Sequence, residues 1–274
     1  MGSDAWKHNK VLVLEGFILV NFVFLILDIY LAHSVNRFRH WGEWIPFWFS
    51  IVAAALLAAA LRAKYKNPQS LFFQWAGLAL GYCSIAVGIT GLIFHLDSQF
   101  FSQWTIASLV YTAPFVAPLA YSGIGFLLLL NRMVPRTEPE WGQWIVFLAL
   151  GGFAGNFVLT LCDHAQNGFF HLTEWVPVVG SALAVGFLTT ALFERSRGFL
   201  RGCLAVLALQ AVIGVWGFVL HLIADINGVS SSLYENFIHG APVLAPMLFA
   251  NLFLLGAIGI WDLLHTGDGA AAEG

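Results

Sequence analysis

Charged residues are scarce in this chain of 274 residues, and their scarcity excludes an ordinary soluble domain. Only 10% of the residues are Asp, Glu, Lys or Arg, whereas a soluble domain has roughly 25%. Hydrophobic residues make up 59% of the chain, and the mean hydropathy is +0.80. The formal net charge of −3 is too small to indicate a charged partner. The composition predicts an integral membrane protein whose partner is the lipid bilayer.

Cysteine is also scarce, and several common functional motifs are absent. Cys83, Cys162 and Cys203 are far apart in the sequence and form no CxxC, so we expect neither a disulfide framework nor a thiolate metal site. The chain has no phosphate loop, nucleophile elbow or dinucleotide fingerprint. It also has no clustered basic and aromatic residues of the kind that nucleic acid requires. These absences exclude nucleic acid as a partner and leave the substrate unidentified.

Apolar runs long enough to cross the ~30 Å hydrocarbon core of a bilayer occur eight times. Because backbone groups in lipid must be hydrogen-bonded within the chain, each run is predicted to be a helix. The first run is too long for a signal peptide, and it is interpreted as a retained span. The sequence therefore predicts an all-α, polytopic membrane protein with eight transmembrane helices, at residues 11–33, 44–63, 70–95, 105–131, 142–163, 175–193, 199–222 and 239–264.

The basic residues divide unequally between the two sides of the membrane. If eight spans alternate in direction, only Arg37 and Arg39 lie on one side. Cytoplasmic segments are enriched in Lys and Arg, so both termini are predicted to lie in the cytoplasm, with the protein in the inner membrane. The ten basic residues on the cytoplasmic side would be Lys7, Lys10, Arg62, Lys64, Lys66, Arg132, Arg136, Arg195, Arg197 and Arg201.

A stretch of fourteen residues occurs twice, at 33–46 and at 164–177, with seven identical positions. A mostly apolar chain matches Leu to Leu by chance, but it does not match two histidines and a glutamate in register. The shared residues are His33/His164, Asn36/Asn167, Phe38/Phe169, His40/His171, Glu43/Glu174, Trp44/Trp175 and Pro46/Pro177.

Further matches on both sides of this stretch indicate that the whole chain is duplicated. Asn21-Phe-Val matches Asn156-Phe-Val before it; Gly88-x-x-Gly-x-x-x-His95 matches Gly214-x-x-Gly-x-x-x-His221 after it; and Ala113-Pro-x-x-Ala-Pro matches Ala241-Pro-x-x-Ala-Pro. The predicted repeats are 11–131 and 142–264, with a cytoplasmic N-terminus 1–10, a cytoplasmic linker 132–141 and a disordered tail 265–274. Since each repeat crosses the membrane an even number of times, the two repeats share one orientation.

Imidazole and carboxylate groups gather at the predicted extracytoplasmic ends of the spans. An ionisable group at the edge of the bilayer costs several kcal/mol unless it is paired or used. A mixed imidazole–carboxylate set suits Fe, Zn, Cu or Mn, so the sequence predicts metal sites near the outer face. The candidate ligands are Asp28, His33, His40, Glu43 and His95 in the first repeat, and Asp163, His164, His171, Glu174, His221 and His239 in the second.

Two other interpretations of these residues remain open. Histidines on facing helices are axial ligands of b-type haem in many proteins, and the candidates here are His40, His95, His171 and His221. The plan of two four-helix halves with histidines at their outer ends resembles that of haem A synthase in architecture alone, and no residue of that family is carried over. Alternatively, the glutamates pair with histidines or arginines and cap a helix at the interface. A transition metal (Fe, Cu or Zn) is favoured over haem b.

The two repeats are not equivalent in their polar residues. His239 in the second repeat falls opposite Tyr111 in the first, so the second repeat has the richer set of ligands. Asn21 and Asn156 lie inside spans, where they are expected to hydrogen-bond between helices. Glu15, Gln210 and Asn251 are isolated polar residues within spans, and the sequence identifies no partner for them.

These observations favour redox chemistry, metal-dependent chemistry or the handling of metal or haem, with no catalytic residue identified. The alternative is a non-catalytic subunit or scaffold that assembles with other membrane or periplasmic redox subunits. A transporter of ions or small solutes is the third hypothesis. It is weakened because few charged residues lie in the middle of the membrane.

Overall fold

The computed structural model describes residues 3–135, 137–138 and 140–266. Within these residues all of the regular secondary structure is helical, as predicted, with eleven α-helices and a 3₁₀ turn at Leu172–Glu174. The helices are α1 Ser3–Ser34, α2 Trp41–Lys66, α3 Leu71–Asp97, α4 Phe100–Gln103, α5 Ile106–Val110, α6 Leu119–Met133, α7 Glu140–Gln166, α8 Trp175–Ala191, α9 Arg197–Ile226, α10 Leu233–His239 and α11 Met247–Thr266.

Seven helices of the described chain are long and apolar enough to cross a membrane, namely α1, α2, α3, α7, α8, α9 and α11. Many large apolar side chains point outward along them; Val20 and Val212, for example, are 67% and 64% exposed. Such a surface is stable in a lipid bilayer and not in water. The prediction of a multi-pass membrane protein is therefore supported, whereas α6, with 15 residues, is shorter than a typical span and the count of eight stays a prediction.

Two predicted spans begin later in the structure than in the sequence analysis. The run predicted to be helical over 105–131 contains the short helix α5, an irregular segment at 111–118 and then α6. The run predicted over 239–264 begins with an irregular segment at 240–246, and α11 starts only at Met247. Each irregular segment contains two prolines. A proline lacks a backbone N–H and disfavours helical geometry in the preceding residue, so the helix begins after the second one.

The helices form one bundle with a continuous apolar core. Neighbours along the chain pack together in the order α1, α2, α3 and α6, and then α7, α8, α9 and α11, with α7 also against α11. The two halves meet where α1 contacts α11 and α6 contacts α7. Leu14, Ile18 and Phe22 of α1 and Trp141 and Phe153 of α7 are fully buried in the shared core.

The polar residues within the helices pair differently from the prediction. The amides of Asn21 and Asn251 bond to each other in both directions, with N···O distances of 3.2 and 2.5 Å. Asn156 does not take part in this pair, and its Nδ2 has no partner among the described residues. The sequence matched Asn21 to Asn156 by position in the repeat, but α1 packs against α11, which carries Asn251. This pair is one of the polar contacts between the halves.

The glycine and alanine–proline motifs form one joint in each half. At Gly91 of α3 and Gly217 of α9, a Cβ atom would come within 2.7 and 2.9 Å of the Cβ of Pro118 and of Pro246. Glycine allows this close approach because it has no side chain. Each joint holds a proline-containing segment against the end of a long helix, next to a histidine. We refer to this end of the bundle as the histidine end, because α1, α3, α7 and α9 bring His33, His95, His164 and His221 there.

Candidate functional site

The repeated stretch folds as a helix-ending turn in both halves. The backbone N–H of Phe38 donates to the carbonyl of His33, and that of Phe169 donates to the carbonyl of His164, at 3.2 and 3.1 Å. Such bonds satisfy carbonyls at the end of a helix, and the turn requires left-handed residues. The Phe ring then packs on a tryptophan near the start of the next helix, with ring centroids 4.4 Å apart for Phe38–Trp44. In the second copy the corresponding distance is 4.0 Å.

The first histidine cluster consists of His33 on α1, His95 on α3 and Glu43 in the first turn of α2. The imidazole rings of His33 and His95 are edge to face with centroids 6.1 Å apart. Glu43 lies close enough to both rings to interact with them electrostatically. Its Oε1 accepts a hydrogen bond of 3.4 Å from Asn36 Nδ2, while its Oε2 is buried and has no hydrogen bond in the described chain.

The second histidine cluster consists of His164 on α7, His221 on α9 and Glu174 in the 3₁₀ turn. His164 Nδ1 lies 3.6 Å from Glu174 Oε2, and the side chains are only 18% and 14% exposed. His221 is close enough to His164 to interact with it electrostatically. Glu174 Oε1 accepts the backbone N–H of His171 at 3.3 Å, and Oε2 is buried without a hydrogen bond from any described residue.

One histidine of each cluster is held by a backbone carbonyl. His95 Nδ1 donates to Pro114 O at 2.8 Å, and His221 Nδ1 donates to Pro242 O at 3.0 Å. A carbonyl oxygen only accepts, so the proton must be on Nδ1 and the Nε2 of the neutral ring carries a lone pair. A bond of this kind orients the histidine ligands of metal sites. The carbonyls come from the alanine–proline segments, so the joint described above fixes the direction of these rings.

The remaining sequence candidates lie outside these two clusters. His40 and His171 are exposed and precede α2 and the 3₁₀ turn; His40 Nδ1 accepts the N–H of Gly42 at 3.2 Å and so caps α2. Asp28 is half-buried more than one turn before His33 on α1, whereas the half-buried Asp163 directly precedes His164 on α7. Their roles as ligands stay predictions.

His239 lies beside the first copy of the repeated motif, and its role as a ligand stays a prediction. It ends α10, its Nε2 lies 3.4 Å from Glu235 Oε2, and its side chain is 55% exposed. It lines a cleft with His40 and Glu43 of the first copy of the motif. The expectation that His239 enriches the second repeat assumed that α11 begins there, but the irregular segment 240–246 separates His239 from α11.

No group of three or more His, Cys, Asp or Glu side chains in the described chain converges closely enough to hold a metal ion as it stands. The sequence predicts five ligands in the first half and six in the second, and the structure brings together two imidazoles and one glutamate in each half. His40 and His171 lie outside the two clusters, because the chain turns between each of them and the preceding histidine. Along a continuous helix, His33 and His40 would have shared one face.

The opposite end of the bundle contains buried ion pairs that the sequence pattern does not predict. Arg132 of α6 forms an ion pair with Glu15 of α1, and both side chains are fully buried. Glu15 also accepts a hydrogen bond of 3.1 Å from Asn131, whose own oxygen accepts from Trp141 Nε1 at 3.1 Å. Glu15 therefore has partners, contrary to the expectation that it is isolated.

A second buried pair at this end joins the two halves. Lys10 Nζ of α1 lies 2.8 Å from Asp262 Oδ1 of α11, with both side chains fully buried. Trp6 Nε1 donates to the same oxygen at 2.9 Å, and the Lys10 ammonium lies 4.5 Å from the ring centroid of Trp141. In the sequence, Lys10 is recognisable only as a charge that orients the first span. A lysine and an aspartate at opposite ends of an apolar chain give no sequence signal that they meet.

No protein-family model matches this chain, and neither a curated protein nor a solved structure does.

Proposed function

We propose that this chain is a membrane protein that binds a transition metal ion at each of its two histidine clusters. The observation that carries the proposal is that each half presents the same donors, two imidazoles and one carboxylate. Two histidines and one carboxylate form the set that binds ferrous iron and leaves coordination positions open. Iron is therefore our first choice, ahead of zinc and copper, and redox or other metal-dependent chemistry is the proposed activity.

The geometry of the first cluster supports binding of one ion by His33 and His95. Two imidazoles on one ion, through bonds of about 2.0–2.1 Å, have ring centroids roughly 5–6 Å apart. The centroids of His33 and His95 are 6.1 Å apart, so a small rotation would bring both rings to a shared ion. Glu43 Oε2 has no hydrogen bond to a described residue, and its rotation toward the rings would break none at that atom.

In this proposal the chain crosses the inner membrane eight times, as two tandem four-helix repeats. The histidine end lies on the extracytoplasmic side. The support is that the same three features occur in both halves: the Phe–Trp turn, the close approach of a glycine to a proline, and the histidine bonded to a proline carbonyl. Each feature joins residues that match in the repeat. In this proposal α6 completes the fourth crossing of the first repeat together with the irregular segment before it.

The test is metal content and an absorption spectrum of the full chain, purified in detergent through a tag without histidine. We expect close to two metal ions per chain and no Soret band. His95→Ala and His221→Ala should each remove about one ion, because each loses a ligand of one cluster. His265→Ala is the matched control, since its Nδ1 donates to Trp261 O at 2.8 Å at the opposite end of the bundle. It should leave the metal content unchanged.

A Soret band that disappears in the His95 or His221 variant would identify haem b, and not a bare metal ion, as the cofactor at these clusters. Wild-type protein that elutes as a folded species without metal or haem would overturn the proposal. The non-catalytic subunit would then become the leading hypothesis.

A further inference from the structure

An open cleft at the histidine end lies between the first copy of the motif and α10. It has a volume of about 410 Å³, and its polar lining is Asn36, Arg37, Arg39, His40 and Glu43 from the first half and His239 from the second. This volume lies within the range of about 300–1,000 Å³ that is typical of small-molecule sites. The cleft is separate from the ring pair of His33 and His95, although Glu43 borders both.

All the Lys and Arg residues in the connections at the histidine end line this cleft. The segments that connect helices there are 35–40, 98–118, 167–174 and 227–246, and their only Lys or Arg residues are Arg37 and Arg39. Neither guanidinium has a hydrogen bond or ion pair with another described residue. Against these two guanidiniums the lining of the cleft has one carboxylate, Glu43, and Glu235 lies 3.4 Å from His239 Nε2. The balance of charge favours an anion.

The backbone conformation at Arg37 is one that favours glycine, although the residue there is an arginine. Arg37 has a φ of +55°, in the left-handed region. The position that matches it in the second copy is Gly168, with a φ of +73°. Glycine adopts this conformation without the steric cost that an arginine bears. If only the turn mattered, glycine would be the less strained residue at this position in both copies.

We propose that this cleft binds the phosphate group of an anionic molecule, with Arg37 and Arg39 as the principal donors. Guanidinium groups present paired N–H donors that fit the oxygens of phosphate. Trp41 and Trp44 are 66% and 41% exposed in the first turn of α2, and exposed tryptophans mark the level of the lipid headgroups. A phospholipid headgroup and a soluble phosphoester can therefore both reach the cleft. The proposal does not depend on metal at the histidine clusters.

The experiment measures binding to the full chain in an uncharged detergent, with EDTA present to remove any role of metal. One arm titrates inorganic phosphate by equilibrium dialysis, and the other measures association with vesicles of phosphatidylglycerol against vesicles of phosphatidylcholine. Arg37→Gly should weaken phosphate-dependent binding about 10- to 100-fold, because a charge-assisted hydrogen bond is lost. The same variant should unfold at the same or a higher temperature, since glycine relieves the left-handed backbone. It therefore separates loss of binding from loss of folding.

Arg201→Ala is the control, because Arg201 is an exposed cation on α9 at the opposite end. It should bind both probes as the wild type does. Binding to phosphatidylglycerol alone would identify a lipid headgroup as the ligand, and binding to inorganic phosphate as well would identify a free phosphate or phosphoester; both outcomes support the site. The proposal is overturned by a wild type that binds neither probe, or by an Arg37→Gly variant that binds as tightly as the wild type.

Discussion

At the scale of single residues, the buried ion pair of Glu15 and Arg132 has the largest predicted effect on stability. Both side chains are fully buried, and Arg132 Nε also donates to Phe73 O at 3.2 Å. Removing one partner of such a pair leaves an uncompensated charge inside the protein, which costs about 3–5 kcal/mol. Removing both partners takes away the cost of burying the charges as well as their attraction. The pair therefore predicts strongly non-additive substitutions.

Glu15→Leu is expected to destabilise the protein by about 3–5 kcal/mol, because Arg132 then remains charged without its carboxylate. The double variant Glu15→Leu/Arg132→Met should be less destabilised than the sum of the two single variants. Tryptophan fluorescence during unfolding in detergent measures both. Glu138→Leu is the control at an exposed glutamate in the connection between α6 and α7, with an expected change within about 0.5 kcal/mol. Strictly additive costs would contradict the coupling of Glu15 and Arg132.

These residues also show what the sequence could and could not predict at this scale. Glu15 is conspicuous as an acid inside an apolar run, and the histidines are conspicuous as a repeated pattern. Their partners are not conspicuous, because Arg132 is 117 residues from Glu15 and Asn251 is 230 residues from Asn21. Pairing across such distances depends on which helices pack together. Neither hydropathy nor residue spacing determines that packing.

At the scale of the helices, apolar runs with no proline, or with one proline near the start, were predicted well, whereas the two runs that contain a pair of prolines were not. Pro46 lies inside α2 and Pro177 inside α8, both near the helix start, where proline is tolerated. Pro114 and Pro118 instead stand in the irregular segment that precedes α6. Hydropathy cannot separate these cases because all of these runs are apolar. The difference matters for the site, since the irregular segments supply the carbonyls that hold His95 and His221.

Gly214→Ala is expected to destabilise the packing of α9 against α11 by about 1–3 kcal/mol. A Cβ atom at Gly214 would lie 2.7 Å from Pro246 O and 2.9 Å from Phe249 Cβ, so the two helices would have to separate. Gly202→Ala is the matched control on the same helix, because a Cβ there meets nothing within 4 Å. It should be neutral or stabilising by up to about 1 kcal/mol. Thermal unfolding in detergent compares the two variants, and equal stability would refute the close-packed joint.

At the scale of the whole molecule, the distribution of charge predicts the orientation in the membrane. Lys10 and Arg132 are buried in ion pairs. If these two are left out, eight of the ten basic residues predicted on the cytoplasmic side remain. The histidine end has two, Arg37 and Arg39 of the cleft. Basic residues near the ends of spans are retained in the cytoplasm. The histidine end is therefore expected to face away from it.

Reporter fusions provide the measurement of this orientation. Fusions in the connections after α2, α6 and α8, at residues 68, 135 and 195, should give cytoplasmic signals. Fusions at residues 99, 168 and 229, at the histidine end, should give periplasmic ones. A periplasmic signal at residue 135 would show that α6 does not cross the membrane, and the two halves would then have opposite orientations.

The ion pair of Lys10 and Asp262 sets an order of events during synthesis. Asp262 lies 252 residues after Lys10, so at about 5–20 residues per second the ribosome makes it roughly 10–50 s later. For that time the first helix is in the membrane with its lysine unpaired, and the long side chain extends toward the water near the start of the helix. Burial of Lys10 must wait for the last helix. A nascent chain that stops before Asp262 therefore leaves the charge of Lys10 without its buried partner, whereas the finished chain buries both groups.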